Sequence, residues 1–394
     1  MHIVFIAAGL YHHISEMTDT LYTTYKDNFH FFATDNTTPT SIQVMGHTEN
    51  MCNKPYYQSI HQSEECAKNA AFWCTNADVA IIGCGNCEDF LHLRMQTGKL
   101  TFKLKERIFK KGLTKQGKDH FYEEIQRIYY RYRDEPLYYL CMGHFAAHDL
   151  HSVGVPREKL LKWGYFVYPS VETSTCCCCT DRTLKLCWVG RFIPEKRPVY
   201  ALYILQHLVA HGIDASLCYI GYGKQEDLLQ KTTEELDLTS KVSFLGAIPE
   251  WQVRENMRKC DWLIFSSTGW EGWGVVLSEA MSEGLTCIAA KEAGSSMELI
   301  SDGVNGILFR NLQSAQESCL CLAQKGIDAW QKLGVNGKKS MQTNWSGKEA
   351  TLRLVELLER YQISGDVSCF SEGLCSTAKI EPYEEYEDTI HAEE

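Results

Sequence analysis

Segments with strand character and segments with helix character alternate along almost the whole 394-residue chain. The strand candidates are short apolar runs, several of them rich in Val, Ile, Phe and Tyr. Such alternation predicts parallel sheets covered by helices, because parallel strands need crossover connections. The chain is longer than a single core usually supports, so two α/β domains are expected.

The predicted strands and helices form two groups, one in each half of the chain. The first half contains strand candidates at 2–7, 29–34, 78–83, 100–105 and 137–143, with helical stretches near 63–76, 87–96 and 119–133. The second half contains strand candidates at 184–189, 216–220, 242–245, 262–266 and 286–290, with helices near 198–212, 224–236 and 250–259. Near the end, Ser346 and Glu349 form a capping box that opens a further helix.

The two groups of predicted strands and helices indicate where the domains begin and end. We expect a first Rossmann-like domain over residues 1–170 and a second one over 171–365. We expect an irregular linker at about 170–182. For the last helix two placements are open, on the second domain or packed back on the first. Residues 366–394 are expected to be an acidic, disordered tail.

Composition and charge argue against several classes of function. The net charge is −11, and residues 379–394 alone hold seven acids and one lysine. This balance argues against nucleic-acid binding, which requires a basic surface. No apolar run has the length of a membrane span, and the short apolar start indicates a strand rather than a signal peptide. A cytoplasmic protein is expected, with peripheral membrane contact left open.

Two local compositions have alternative interpretations. Residues 99–118 carry eight basic groups and one acid, which suits an anionic acceptor or lipid phosphate, or simply a solvated face. Cys176 to Cys179 are four consecutive cysteines among eighteen, and their spacing matches no zinc pattern. No metal site is predicted.

The segment Glu271-Gly-Trp-Gly-Val-Val-Leu-Ser-Glu279 carries the strongest functional pattern. Gly272 and Gly274 allow a backbone to approach a ligand closely, and a helix that begins near Gly274 directs its positive end to a phosphate. The two carboxylates flank that position. They suit a ligand with hydroxyls on both sides of a diphosphate, which is the layout of a nucleotide sugar.

Three further turns follow strand candidates. Gly190, Arg191 and Lys196 place two cations where they can hold a diphosphate. Gly221 and Gly223 form a weaker glycine turn that permits backbone approach to a base or phosphate. The segment from Ala293 to Glu298 has two equally good interpretations, as part of a ligand site or as a plain helix cap.

Over residues 184–310 these segments occur in an ordered set that resembles glycosyltransferase family 4, the retaining GT-B enzymes of glycosyl transferases group 1. The set comprises Val-Gly-Arg-Phe-Ile-Pro-Glu-Lys, Tyr-Ile-Gly-Tyr-Gly, Val-Ser-Phe-Leu-Gly, the two acids seven residues apart, and Asp-Gly-Val-Asn-Gly-Ile-Leu-Phe. The resemblance implies two Rossmann-like domains that face each other across a cleft. The domain over 1–170 would lie on the acceptor side, and the domain over 171–365 would bind the nucleotide sugar.

The resemblance also implies roles for particular residues. Glu271 would bind the donor sugar and Glu279 the ribose, while Arg191 and Lys196 neutralise the diphosphate leaving group. The other donor-binding positions are Gly9, Leu10, Gly190, Gly221, Gly223, Gly272, Trp273, Gly274 and Val275. In the first half, Glu106 and Arg107 are candidate cleft residues, and no histidine among His12, His13, His144 and His148 can be assigned to the active site.

The predicted activity is transfer of a sugar, with retention, from a UDP- or GDP-sugar to a hydroxyl of a glycan or lipid-linked acceptor. The resemblance implies that no metal or other cofactor takes part. A nucleotide-sugar epimerase of the same fold and a non-catalytic nucleotide-binding protein are the alternatives. A dinucleotide dehydrogenase is disfavoured because the G-x-G-x-x-G fingerprint is missing.

Overall fold

The protein is described by a computed structural model that covers residues 1–36, 49–110, 119–170 and 183–383. The chain divides into two compact units. The first comprises residues 1–168 and 344–382, and the second comprises residues 169–343 and 383–394. Cys176 to Cys179 lie outside the described residues, as does most of the acidic terminus.

The first unit contains a parallel sheet of seven strands in the order β3-β2-β1-β4-β5-β6-β7. The strands are β1 (Ile3–Ala7), β2 (Phe29–Ala33), β3 (Tyr57–Ser59), β4 (Val79–Ile82), β5 (Thr101–Lys105), β6 (Leu137–Met142) and β7 (Leu160–Trp163). The helices are His12–Tyr25, Glu49–Cys52, Glu64–Asn76, Glu88–Met95, Asp119–Tyr130, Ala146–Ser152 and Gly347–Ser364. The central strands β1 and β4 are entirely buried, as expected for a sheet covered on both faces.

The helix Gly347–Ser364 belongs to the first unit although 175 residues of the second unit precede it in the chain. It packs on the helix His12–Tyr25. The Glu16 carboxylate accepts a hydrogen bond from the Gly347 amide at 2.6 Å, and a Cβ on Gly347 would lie 2.6 Å from the Met17 nitrogen. Only glycine allows this approach. The Ser346 hydroxyl caps the helix by accepting from the Glu349 amide, as the capping box predicts.

Residues 366–382 differ from the sequence-based division, which assigned them to a disordered tail. They run beside the edge strand β7, where Lys162 exchanges backbone hydrogen bonds with Cys375 and Ser376. Val367, Leu374 and Cys375 are buried, so the segment contributes apolar surface to the core. The acidic character that suggested disorder begins only at Glu381.

The second unit contains a parallel sheet of six strands in the order β10-β9-β8-β11-β12-β13. The strands are β8 (Leu184–Val189), β9 (Ala215–Ile220), β10 (Val242–Phe244), β11 (Trp262–Phe265), β12 (Thr286–Ala290) and β13 (Ile307–Phe309). The helices are Val199–Ala210, Glu226–Glu235, Glu250–Met257, Val275–Glu283, Ser296–Leu299, Leu312–Gln324 and Ile327–Thr343.

The predicted fold class is confirmed, since both units are Rossmann-like α/β domains with parallel sheets. In the described residues, no helix is both long enough and apolar enough to cross a membrane.

Candidate active site

The candidate site of the second unit lies at the carboxyl edge of its sheet. All six strands are parallel, so the loops that follow β8, β9, β11 and β12 leave from the same edge. This edge is where ligands bind in open parallel sheets. Every residue of the second domain that the sequence predicts to bind the donor lies on one of these loops or on the helix that follows β11.

Lys196 and Glu271 are brought together by the loops after β8 and β11. The Lys196 Nζ forms an ion pair with the Glu271 Oε2, and the Ser267 hydroxyl donates to the same oxygen at 3.1 Å. Both charged side chains are about one-fifth exposed, at 18% and 19%. Arg191, the other predicted cation of this turn, is exposed. Lys196 therefore lies next to a carboxylate of fixed orientation, and Arg191 belongs to the same turn.

The turn that carries Lys196 is fixed to the end of β11 by hydrogen bonds. The Ser266 hydroxyl lies 2.8 Å from the carbonyl oxygens of both Lys196 and Arg197, and it accepts from the Trp188 indole at 3.0 Å. The Thr268 amide and hydroxyl both donate to the Glu195 carbonyl, at 2.8 and 3.0 Å. This bonding preorganises the ammonium group.

Arg197 and Glu292 are site residues that the sequence reasoning missed. Arg197 adopts a left-handed conformation, with φ of +46°, which is uncommon for a residue with a side chain. Its Nη1 lies 2.8 Å from Oε1 of Glu292, which follows β12, and the other Glu292 oxygen accepts from the Tyr383 hydroxyl at 2.9 Å. Ninety-five residues separate the pair, so no local pattern could have indicated it.

The helix Val275–Glu283 begins where the sequence predicted it. Gly274 is its N-cap, with φ of +86°, and no side chain caps the helix. The Leu277 amide donates to the Gly274 carbonyl at 3.0 Å, so the amides before it and the positive end of the helix dipole are left for another acceptor. A Cβ on Gly274 would lie 2.3 Å from the Phe265 ring, so packing alone already requires glycine there.

The loop before this helix lies tightly against the loop after β12. The Gly294 amide donates to the Glu271 carbonyl and the Ser295 amide to the Trp273 carbonyl, each at 3.1 Å. A Cβ on Gly294 would lie 1.8 Å from the Gly272 carbonyl oxygen. The Gly294 to Ser296 turn therefore supports the loop that carries Glu271.

Two predicted donor residues are buried. Glu279 is only 5% exposed, whereas a side chain that binds a ribose is expected to be partly exposed, and every residue of its helix from Leu277 onwards is buried. The Trp273 side chain is 1% exposed, and its indole nitrogen donates to Ser278 at 3.1 Å. The Trp273 ring thus packs in the core, and neither the ring nor the backbone of Trp273 is open at the surface.

Gly221 and Gly223 allow close approach of backbone to backbone. A Cβ on Gly221 would lie 1.8 Å from the Gly190 carbonyl oxygen, and one on Gly223 would lie 2.6 Å from the Phe192 carbonyl oxygen. The Phe192 amide donates to the Tyr222 carbonyl at 2.8 Å. The loops after β8 and β9 are therefore interlocked, which explains both glycines without a ligand.

Gly9 and Leu10 follow β1 in the first unit, at the carboxyl edge of its sheet. Leu10 is fully buried, so neither its side chain nor its backbone is open at the surface. A cavity of about 60 Å³ lies beside this loop and is lined by Gly9, Gly83, Cys84 and Tyr165, among others. The His13 ring packs against Tyr165, with 4.2 Å between ring centroids.

Glu106 and Arg107 differ from each other in placement. Glu106 accepts a hydrogen bond from Tyr165, whose pKa is raised well above its usual value, first by burial and then by the Glu106 charge. Arg107 is 4% exposed, lies 3.6 Å from the Asp149 carboxylate and donates to the Phe109 carbonyl at 2.6 Å. Arg107 therefore fixes the chain after β5 and is not an open cleft residue.

The basic segment 99–118 is not a uniform solvated face. Lys103 is 2% exposed and contacts the Gly83 carbonyl and Glu88 at 2.9 and 2.8 Å. With Arg107, it is one of two buried cations among the described residues of this segment. Residues 111–118 lie outside the described residues. Among the four histidines considered, His144 is also buried, and its Nε2 lies 2.8 Å from Glu381.

Comparison with known proteins shows that part of the second unit is similar to a known family. Residues 180–318 match the family model of glycosyl transferases group 1. The matched stretch contains the turn at 190–196, Glu271, Glu279 and Glu292. This supports the prediction at the level of a glycosyltransferase of group 1, while assignment to family 4 stays a prediction.

Curated relatives match only parts of their own length. The chain is 25% identical over 248 residues to the amylovoran biosynthesis glycosyltransferase AmsK of Erwinia amylovora, covering 61% of this chain and 60% of that protein. It is 30% identical over 122 residues to a phosphatidyl-myo-inositol mannosyltransferase of Mycolicibacterium smegmatis, covering 31% of each.

Solved structures match over nearly the whole chain. Anabaena HepE in complex with UDP superposes with a TM-score of 0.65 at 16% identity and covers 91% of this chain and 100% of that one. The lipopolysaccharide outer core galactosyltransferase WaaB superposes with a TM-score of 0.57 at 17% identity, covering 87% and 99%. At such identities the likeness shows the fold, and the fold is GT-B.

Proposed function

We propose that this protein is a retaining glycosyltransferase of family 4 that transfers a sugar from a UDP- or GDP-sugar to the hydroxyl of a glycan or lipid-linked acceptor. One observation carries the proposal. The Lys196–Glu271 ion pair lies at the carboxyl edge of the second sheet, in loops that also lead to the uncapped helix Val275–Glu283. A cation, a carboxylate and a helix N-terminus are the groups that a sugar diphosphate requires.

The proposed mechanism follows the charge that develops on the leaving group. Breaking the bond between the sugar and the diphosphate places negative charge on the phosphate oxygens. Lys196, Arg191 and the amides after Gly274 would stabilise that charge, and their fixed positions would lower the cost of reorganisation during the reaction. Glu271 would orient the sugar, and Glu279 would bind the ribose.

Retention is proposed to arise without a protein nucleophile, by attack of the acceptor hydroxyl on the face that the diphosphate leaves. No metal is proposed, because Lys196, Arg191 and the helix supply the positive charge. Support for the donor class comes from the neighbour HepE, which was crystallised with UDP and with UDP-glucose. Support for a glycan acceptor comes from the name of the amylovoran relative.

The proposal extends to the cellular setting. The predicted cytoplasmic location is retained. Contact with a membrane surface or a lipid phosphate is proposed only for the basic residues of 99–118 other than the buried Lys103 and Arg107.

The test measures nucleotide diphosphate release from a panel of UDP- and GDP-sugars, with and without glycan and lipid-linked acceptors. Release that an acceptor strongly stimulates supports transfer. Conversion of the sugar without an acceptor would indicate an epimerase. Binding of nucleotide without turnover would indicate a non-catalytic protein, and no thermal shift with any nucleotide would overturn the proposal.

A variant of Glu279 tests the proposed contact with the ribose. Since Glu279 is buried, Glu279→Gln is preferable to alanine, because it keeps the side-chain shape and leaves no cavity. We expect weaker binding of UDP or GDP with the melting temperature nearly kept. An unchanged affinity would remove Glu279 from the ribose site.

A further inference from the structure

The carboxylate of Glu271 is held from two sides within the second unit. Its Oε2 accepts a hydrogen bond from the Lys196 ammonium and another, at 3.1 Å, from the Ser267 hydroxyl. Ser267 is 2% exposed, so its hydroxyl is shielded from water. The carboxylate is therefore directed at Lys196 by a buried side chain to which the proposed mechanism gives no role.

The ion pair is not needed to hold the two loops together. The Ser266 hydroxyl lies 2.8 Å from the Lys196 carbonyl oxygen, and the Glu271 amide donates to the Thr268 carbonyl at 3.0 Å. The Glu271 carbonyl also accepts from the Gly294 amide at 3.1 Å. Because other bonds fix the backbone of both residues, the two charged side chains can exchange partners without moving the loops.

The ion pair and the donor compete for the same two charges. Lys196 is proposed to bind the diphosphate and Glu271 the sugar, yet the two side chains neutralise each other. Opposite charges in contact reduce the attraction of either one for a third group. Both side chains are about one-fifth exposed, so water screens the pair only in part. Binding of a diphosphate to Lys196 therefore requires that Glu271 leaves the ammonium.

A nucleotide sugar and the nucleoside diphosphate that it releases differ in what they offer to Glu271. The nucleotide sugar brings phosphates for the lysine and sugar hydroxyls for the carboxylate, so both charges keep a partner. The nucleoside diphosphate takes the lysine and brings no hydroxyl to the position of the sugar. The carboxylate then loses its cation beside phosphate oxygens of like charge, which is unfavourable. The product therefore meets an opposition that the donor does not.

We propose, on the basis of the transferase function above, that Glu271 competes with the nucleoside diphosphate for Lys196 and thereby favours its release after sugar transfer. Ser267 is a positioning residue in this exchange, because its bond to Oε2 keeps the carboxylate directed at the lysine. Product release limits the turnover of many enzymes. A carboxylate that weakens the binding of the product, and not that of the donor, shortens this step.

The experiment measures the affinity of the full-length protein for UDP and for GDP by isothermal titration calorimetry. Glu271→Gln keeps the shape of the side chain and removes its charge. We expect this variant to bind whichever nucleotide the wild type binds, and to bind it about tenfold more tightly. Glu271→Asp keeps the charge but shortens the side chain by one methylene, which moves the carboxylate away from the ammonium. It should therefore also bind more tightly than the wild type, by a smaller factor.

Two further variants separate direct competition from the general effect of charge. Glu195→Gln is the matched control, since it removes a partly exposed carboxylate from the same turn, and its affinity should change by less than about threefold. Ser267→Ala should bind more tightly than the wild type but less tightly than Glu271→Gln. A misfolded protein does not gain affinity, so a folding defect cannot produce the expected result.

The outcomes distinguish this inference from the function on which it rests. Equal gains in Glu271→Gln and Glu195→Gln, or no gain in Glu271→Gln, would overturn the inference and leave the transferase proposal intact. Failure of the wild type and of every variant to bind either nucleotide would overturn the transferase proposal and the inference with it.

Discussion

Arg197 and Glu292 form a buried ion pair next to the lysine of the candidate active site, with 2.8 Å between Nη1 and Oε1. The arginine side chain is 17% exposed and the carboxylate 1%. The pair joins the loop after β8 to the loop after β12, and Tyr383 donates to the second carboxylate oxygen. It therefore positions two of the loops that carry predicted site residues.

Loss of Arg197 should be strongly destabilising. Arg197→Met leaves the Glu292 charge buried without its cation, which typically costs about 3–5 kcal/mol of unfolding free energy. Urea denaturation measures the change. The matched control is Lys241→Met, because Lys241 pairs with Asp214 at the surface and such pairs contribute at most about 1 kcal/mol. Equal losses in the two variants would contradict the structural role of the buried pair.

Lys196 should matter for transfer far more than a neighbouring surface lysine. Removal of a preorganised group that stabilises transition-state charge typically lowers kcat by about 10²–10³-fold, and we expect this for Lys196→Ala. Lys224→Ala is the control, since Lys224 is exposed on the turn after β9. Nucleotide diphosphate release with a saturating acceptor is the measurement. A similar small loss in both variants would point to general electrostatic attraction only.

Alanine variants of Gly221 and Gly246 distinguish the effect of a steric conflict from the effect of backbone strain. Gly221→Ala places a Cβ 1.8 Å from the Gly190 carbonyl oxygen, so the interlocked loops must separate and the melting temperature should drop sharply. Gly246 also has positive φ but has open space around it, and its alanine variant should cost only about 1–2 kcal/mol. Thermal unfolding of both variants decides the point, and equal losses would mean that the loops yield easily.

His30 should make the first unit sensitive to mild acid. Its ring stacks on Trp73 with 3.8 Å between centroids, and burial followed by the nearby His2 lowers the pKa of His30 from 6.5 to about 4. Between these values the unfolded chain binds a proton that the folded protein does not. The free energy of unfolding should therefore fall as pH decreases from about 6.5 to about 4.

The variant His30→Phe keeps the stacking but cannot titrate. Urea denaturation across this pH range should show a shallower decline for His30→Phe than for the wild type. An identical slope in the two proteins would show that His30 does not contribute to the pH dependence.

The fold was predictable because most strands are compact apolar runs that end at glycine or polar residues. β3, β7 and β13 were missed, and each is only three or four residues long. β10 is equally short but was predicted from the run at 242–245. The helix His12–Tyr25 was missed although Ile14, Met17 and Leu21 recur on one face, because threonine and histidine dominate its composition. The helices over 312–343 were missed as well.

The candidate site was predictable only where its residues are close in the chain. The segment Glu271–Glu279 and the turn at 190–196 have local signatures, and the structure joins them through Lys196 and Glu271. The burial of Glu279 was not visible, because a mixed polar and apolar helix reads as a surface helix until its neighbours are known. The structural reason for Gly221 likewise depends on a loop thirty residues earlier in the chain.

The return of the helix Gly347–Ser364 to the first unit has a consequence for biosynthesis. The ribosome makes the amino-terminal half first, yet that half obtains its closing helix and the partner of its edge strand only from residues 344–382. The inserted second unit, by contrast, has nearly all its residues once position 343 has emerged. Domains fold as units, so the part that is synthesised first should complete its folding last. Until then a nascent chain exposes the apolar face of His12–Tyr25, which is where a chaperone would be expected to bind.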